Sequence, residues 1–507
     1  MKKKTGIDIC LCLNTIITPV QSYTLDNNNE DRRKCQVFCT FALPYGLSRA
    51  FFFLLYYPMR TARIVFFSLF IFLCLHAAVY AAVIKEYRLE NGLKVLIIEE
   101  HKAPVATFQV WYRTGARDEP AGKSGLSHLL EHMMFKGTPK YGPSVFSNTV
   151  QKNGGTDNAY TTKDYTVYFE LFSSDRIALS IDLEADRMRN LRLEPKEVLS
   201  ERQVVMEERR LRYEDDPQSS LFEEVAAAAF KVHPYRRPVI GWMSDLGAIE
   251  RTDLYDYYNA NYSPDNAVII IVGDVNADEI FSKVRSSFEH IPSGPPKKSI
   301  VSVEPAQRGE KRVVLQKEAE LPFIILTYHT PSFPHEDSYA LDILNVILSG
   351  GKSSRLYQSI VYEKKIALDV SADYSSFNRD PYLFYFYATV APGKEIKEVE
   401  DALYAEIAKI RKEAPSAREV QKAKNQIESS FIMGQDSIYL QAMKYGIFEM
   451  LGDWRLIDTY LDGIRMVTPQ AVMEVAGKYL KEDNLTEGIL LPIKKVKREE
   501  RRVKSEK

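Results

Sequence analysis

Cysteine is nearly absent from this chain. Its 507 residues hold five, Cys10, Cys12, Cys35, Cys39 and Cys74, and none follows. The body of the chain therefore forms no disulfides and binds no metal through thiolate, which suits an exported protein that avoids mispairing. Excess charge is missing too. With 67 Lys+Arg against 68 Asp+Glu the formal net charge is −1, so there is no electrostatic case for nucleic acid as a partner. The apolar run Ile64–Leu75, broken only by Ser68, is short for a membrane-spanning helix. Histidine is scarce, eight in all, so a cluster of histidines carries weight.

What is present describes a large globular protein. A chain this long exceeds one ordinary core, and 45% hydrophobic with 27% charged residues suits two or more domains. Met59–Ala81 has the layout of a signal peptide. Arg60 and Arg63 supply the positive start, Ile64–Leu75 the apolar run, and Val79-Tyr80-Ala81 the small-x-small cleavage pattern. Cleavage is expected after Ala81 and translation is expected to begin at Met59, with residues 1–58 as an upstream extension. The alternative is an uncleaved anchor, the sole route to a membrane. The mature protein is then exported, periplasmic or secreted.

The body reads as an α+β protein of two homologous domains, each a mostly antiparallel sheet packed with helices. Residues 82–291 form the first, 292–309 a linker rich in Pro, Ser and charge, 310–493 the second, and 494–507 a charged tail. Asn91-Gly92 between apolar runs predicts a hairpin over Glu86–Glu99, and Val105–Arg113 a third strand. Two β segments are expected in Gly154–Phe172, helices at Glu194–Glu214 and Pro217–Phe230, and a buried strand at Asn266–Gly273. The second half repeats this order: strands at Lys311–Gln316 and Pro322–His329, a helix at Tyr339–Leu348, a helix at Ser353–Glu363, a β pair in Ile366–Val390, then helices.

The chain is organised around Gly125–Gly137, GLSHLLEHMMFKG. Its core is His128-Leu129-Leu130-Glu131-His132, the inverted zinc motif H-x-x-E-H. On a helix, positions i, i+3 and i+4 share a face, so both imidazoles and the Glu131 carboxylate point one way. Two imidazoles at that spacing can bind one Zn²⁺, and the carboxylate can take a proton from water at the metal. A third ligand is needed, and Glu201 and Glu208 lie seven apart on one face of a predicted helix. One can bind metal while the other supports a histidine, and Glu207 faces elsewhere. In the second half the glycine-aligned positions are Leu341, Leu344 and Asn345, so that copy carries no metal ligands.

His128–His132, followed 76 residues after the second histidine by Glu208 with Glu201 before it, resembles the pitrilysin family. That family includes insulin-degrading enzyme and the mitochondrial processing peptidases. The likeness spans roughly Val83 to Leu491. It implies one Zn²⁺ per chain held by His128, His132 and Glu208, with Glu131 as general base and Glu201 as supporting carboxylate. It implies hydrolysis of peptides or unfolded polypeptides. Gly155–Tyr160 resembles the edge strand to which a substrate peptide adds, with Gly155, Asn158 and Ala159 at the substrate. Active relatives carry an Arg and a Tyr seven apart in the second half. Val361 and Leu368 stand there in this chain, and neither can donate a hydrogen bond to an oxyanion. The expected partner is therefore a homologous zinc-free subunit in a heterodimer, with a homodimer as the other arrangement. The alternative function is a non-catalytic structural or peptide-binding subunit of the same fold.

Overall fold

Asn91-Gly92 closes the first hairpin, with Gly92 at φ +91° where a side chain would be strained. It joins β1 (Ile84–Arg88) to β2 (Lys94–Glu99) in antiparallel register, Tyr87 opposite Val95. A computed structural model of the chain describes residues 84–296 and 302–493. The signal peptide, the upstream extension, the charged tail and part of the linker lie outside the described residues.

The first sheet adds β3 (Val105–Tyr112), β4 (Thr156–Thr161), β5 (Thr166–Ser173) and β6 (Ala267–Gly273), in the order β1-β2-β6-β3-β5-β4. Only β2 and β6 run parallel; β1 and β4 are the two edges. Both faces of this sheet are covered, which explains the unbroken apolar runs VLII and AVIIIV. One face, with Val95, Ile97, Phe108, Val110 and Ile271, packs on helices of the first half. The other presents Leu96, Ile98, Trp111, Ile270 and Val272 to Ala442, Met443 and Ile447 of the helix Ile438–Leu451.

The second sheet has five strands: β7 (Lys311–Glu318), β8 (Phe323–Thr330), β9 (Ala367–Tyr374), β10 (Tyr382–Val390) and β11 (Leu485–Ile493), in the order β7-β11-β8-β10-β9. Its pairing reproduces that of β2-β6-β3-β5-β4, including one parallel pair, β7 with β11. The repeat of two α+β domains is thus visible strand by strand. One face packs on helices of the second half through Ile324, Leu326, Phe384 and Phe386. The other is covered by Leu221, Val225 and Ala229 of Pro217–Ala229, a helix from the first half.

Each half therefore lends a helix to its neighbour's sheet. Glycine makes both contacts possible. A Cβ on Gly446 would sit 2.1 Å from the Trp111 ring, and one on Gly488 would sit 2.3 Å from Val225 Cγ2. Burying Met443 and Ile447 contributes roughly 1.5–3 kcal/mol each, so the exchange binds the halves into one unit. Ion pairs reinforce it. Glu449, on the borrowed helix, accepts from Lys94 Nζ at 2.8 Å and Arg113 Nη2 at 2.6 Å.

Three elements were not anticipated: the helices Met243–Ala248 and Leu456–Met466, and β11. The expected helix at Ser353–Glu363 is in its second part a π-helix, Tyr357–Glu363. No helix among the described residues is long and apolar enough to cross a membrane.

Candidate metal centre

Two helices build the site. The first, Leu126–Met133, begins at Gly125 (φ +93°). Its opening N–H groups are satisfied by a buried carboxylate upstream: Glu119 accepts from Gly125 N at 2.9 Å and from Ser127 N at 2.8 Å. Burial nevertheless pushes the Glu119 carboxyl up to about 8. Tyr257 Oη bridges Ser127 Oγ (2.8 Å) and Thr114 Oγ1 (3.0 Å), which fixes the helix start against β3. Leu129, Leu130 and Met133 enter the core. His128, Glu131 and His132 are left on the opposite face, with the two imidazoles 4.7 Å apart.

The second helix, Pro195–Arg209, buries Val198 and Val205 and then widens into a π-turn, Arg210–Glu214. Arg209 anchors its end, donating to both oxygens of Glu223 (2.8 and 2.7 Å) and to Gly241 O (2.8 Å). The residue before it, Glu208, is thereby held against the first helix.

His128, His132 and Glu208 converge, each offering one ligand atom, and all three atoms lie within 4.8 Å of one another. Glu208 Oε2 is 3.5 Å from His132 Nε2 and 3.9 Å from His128 Nε2. Three donors on a tetrahedral zinc ion at ~2.1 Å would stand ~3.4 Å apart. The observed separations are close to that, and two imidazoles with one carboxylate form a catalytic zinc donor set that leaves a fourth position open. The residues fit a zinc ion. Arg212 Nη1 holds the other oxygen, Oε1, at 3.2 Å.

Around the donors stands a supporting ring. Glu201 Oε1 lies 3.0 Å from His132 Nδ1, which leaves Nε2 directed at Glu208; its Oε2 pairs with Lys136 Nζ at 2.5 Å. Burial works against charge on His132, but the Glu201 bond and the Glu131 and Glu208 charges outweigh it and raise its pKa. Burial likewise opposes the Glu201 carboxylate, and the bonds from His132 and Lys136 still lower its pKa. His128 behaves oppositely. Burial, with His132 and Arg212 nearby, holds it well below the ordinary imidazole value, so it is a neutral donor. Its Nδ1 is buried without a hydrogen-bond partner. Glu131 faces the same space; burial raises its pKa, while Thr161 Oγ1 donates to its Oε2 at 2.6 Å. Glu207 points to solvent and pairs with Arg210.

The edge strand β4 runs beside this cluster. Gly155 precedes it, pressed on the Phe172 ring, which a Cβ would meet at 2.4 Å. Asn158 is exposed with Oδ1 accepting from Ala159 N (2.9 Å), and Ala159 is buried. Thr161, Arg212, Lys136 and Glu119 were not singled out from sequence. Thr161 stands two residues beyond Asn158-Ala159 and was within reach of inspection; Glu119 carries no local signal.

In the second half, Leu341, Leu344 and Asn345 lie buried in the helix Asp337–Ser349, and the described residues hold no second metal cluster. Val361 is half-buried and Leu368 largely exposed. Arg355, which precedes Val361 in the chain, is committed to Glu419 at 2.7 Å.

Comparison with known proteins decides the family. Residues 94–242 match the family described as Insulinase (Peptidase family M16), and residues 248–427 match the Peptidase M16 inactive domain. The zinc protease PqqE of Helicobacter pylori is 31% identical over 423 residues, covering 82% of this chain and 95% of that protein. The chain belongs to peptidase family M16. Among M16-like solved structures, a protease from Helicobacter pylori superposes with a TM-score of 0.78 at 31% identity, covering 81% of this chain and 100% of that one. The periplasmic protease PqqL from Escherichia coli gives a TM-score of 0.68 at 19% identity, covering 82% of this chain and 48% of that one, and supports the fold alone. The M16 match described as inactive runs from the end of the first domain into the second and takes in Leu341, Leu344 and Asn345, which occupy the motif positions there.

Proposed function

We propose that this chain is an exported zinc endopeptidase that hydrolyses peptides or unfolded polypeptides. One observation carries the reading: His128, His132 and Glu208 present three converging donors beside the Glu131 carboxylate. A zinc ion held there supplies a Lewis acid that activates water and polarises a peptide carbonyl. Glu131 accepts a proton from the attacking water and delivers it to the departing amine. Glu201 orients His132 through Nδ1. The substrate lies along β4 as an added strand, with Gly155, Asn158 and Ala159 at the cut bond, so main-chain pairing makes recognition tolerant of sequence.

The second half offers no hydrogen-bond donor at Val361 or Leu368, and Arg355 is engaged elsewhere. A homologous zinc-free subunit supplies those donors in our reading, and the pair of chains encloses the substrate. Export rests on the signal-like Met59–Ala81. The same gap in the second half favours the other reading, a non-catalytic structural or peptide-binding subunit. Glu131→Gln separates the two. In the endopeptidase reading, cleavage of an unstructured peptide by the assembled enzyme falls about 10²–10⁴-fold with zinc retained. An assembly that cuts nothing even with wild-type Glu131 supports the scaffold. Robust hydrolysis by the purified chain alone removes the need for a partner.

A further inference from the structure

Thr161 is the last residue of the edge strand, and its hydroxyl does something unusual for a strand threonine: it donates to a carboxylate, Glu131 Oε2, at 2.6 Å. A hydroxyl has one proton to give, so this one is committed to Glu131. A bond of that length to a carboxylate is charge-assisted and stronger than a neutral one. It leaves Oε1 of Glu131 as the oxygen free to work.

The donor is itself immobilised from several sides. Thr161 pairs with Thr166 across the β4–β5 hairpin, and the turn closes with Thr162 N donating to Tyr165 O at 2.8 Å. Thr162 O and Lys163 O accept from Ala116 N (3.1 Å) and Arg117 N (2.9 Å). Gly115 allows that approach, since a Cβ there would lie 2.6 Å from Thr162 O. At the tip, Asp164 accepts from Tyr235 Oη at 2.6 and 2.7 Å and from Arg379 N at 3.1 Å. Arg117 joins Asp164 to Asp380 of the second half, and His233 Nε2 reaches Asp380 at 3.0 Å. The turn carrying Thr161 is thus clamped between the two halves.

Resting on the endopeptidase reading, we infer that Thr161 is a positioning residue for Glu131, and that the clamped hairpin makes the strand offered to substrate the same element that aims the base. Preorganised hydrogen bonds of this kind act because they need no rearrangement when the proton moves. The second half, without metal ligands, then contributes to the site by holding the Asp164 turn in place.

The test compares wild type, Thr161→Val and Thr161→Ser in the zinc-loaded assembled enzyme, reading kcat and KM on an unstructured peptide. Zinc affinity of the full chain is read separately by chelator competition, with thermal midpoint. Thr161→Val is expected to lower kcat about 10- to 100-fold, a part of what a general base contributes. KM and zinc affinity should stay within about twofold of wild type, and Thr161→Ser should recover most of kcat by restoring the hydroxyl. A Thr161→Val enzyme with wild-type kcat overturns the inference alone. So does a serine variant as slow as valine, or a loss of rate that follows loss of zinc. A wild-type assembly that binds zinc and cleaves nothing overturns the endopeptidase reading, and this inference with it.

Discussion

Replacing Glu201 by alanine removes the acceptor 3.0 Å from His132 Nδ1 and the counter-charge 2.5 Å from Lys136 Nζ. Two effects add. The imidazole loses the bond that fixes its tautomer and ring angle, so Nε2 no longer faces Glu208 by default. Lys136, about a third exposed, keeps a positive charge beside the three converging donors. A charge-assisted bond is worth about 1.5–3 kcal/mol, which corresponds to about 10- to 100-fold in metal affinity, the range found when such supporting partners are removed. Glu201→Gln keeps an acceptor oxygen and loses only the charge, so it should fall near tenfold. The assay is zinc titration of the metal-stripped full chain against a chromophoric chelator at fixed pH. Affinity for Glu201→Ala within twofold of wild type would show that His132 is not held by Glu201. A loss as complete as that of Glu208→Gln would make Glu201 a ligand, and the division of roles would be wrong.

Three further outcomes are expected. Glu449→Ala strands the buried Lys94 charge, for which Glu86 at 3.5 Å is a poor substitute, and should cost about 3 kcal/mol in denaturant unfolding; less than 1 would mean the borrowed helix is not held by this pair. Glu487 is fully buried, and burial with the neighbouring Glu400 charge pushes its carboxyl up to about 7, against the pull of Arg312. A carboxyl raised on folding binds more protons folded than unfolded, so it makes stability fall as pH rises from the ordinary carboxylate range through 7; Glu487→Gln should flatten that decline, and a variant curve parallel to wild type would refute it. Gly115→Ala should displace the Thr162–Lys163 turn and lower both thermal midpoint and peptide cleavage, whereas an unchanged midpoint would show that the turn yields freely.

Much of the site was legible because its chemistry is local or evenly spaced. The H-x-x-E-H face follows from helical periodicity, and Glu201 and Glu208 from two turns of one helix. The Asn91-Gly92 hairpin likewise declares itself. What escaped was decided by distant packing. β11 contains Gly488 and Pro492, both of which argue against a central strand. Yet Gly488 is needed where Val225 presses close, and Pro492 lies beyond Leu490, the last residue paired with β8. At Pro492 there is no pairing with β8 left to interrupt. Glu119 reads as an ordinary surface acid until the fold carries it under the start of the motif helix. Thr161 needed the β4–β5 hairpin in place before its neighbour could be seen.

The crossed helices limit how this gene can be trimmed. A product ending at the linker would keep every donor of the metal cluster, yet leave Leu96, Ile98, Trp111 and Ile270 bare where Ile438–Leu451 should lie. Such a face is an aggregation surface. A protease that nicks the linker, by contrast, should release nothing, because each fragment still caps the other's sheet and the pair would travel together until denatured.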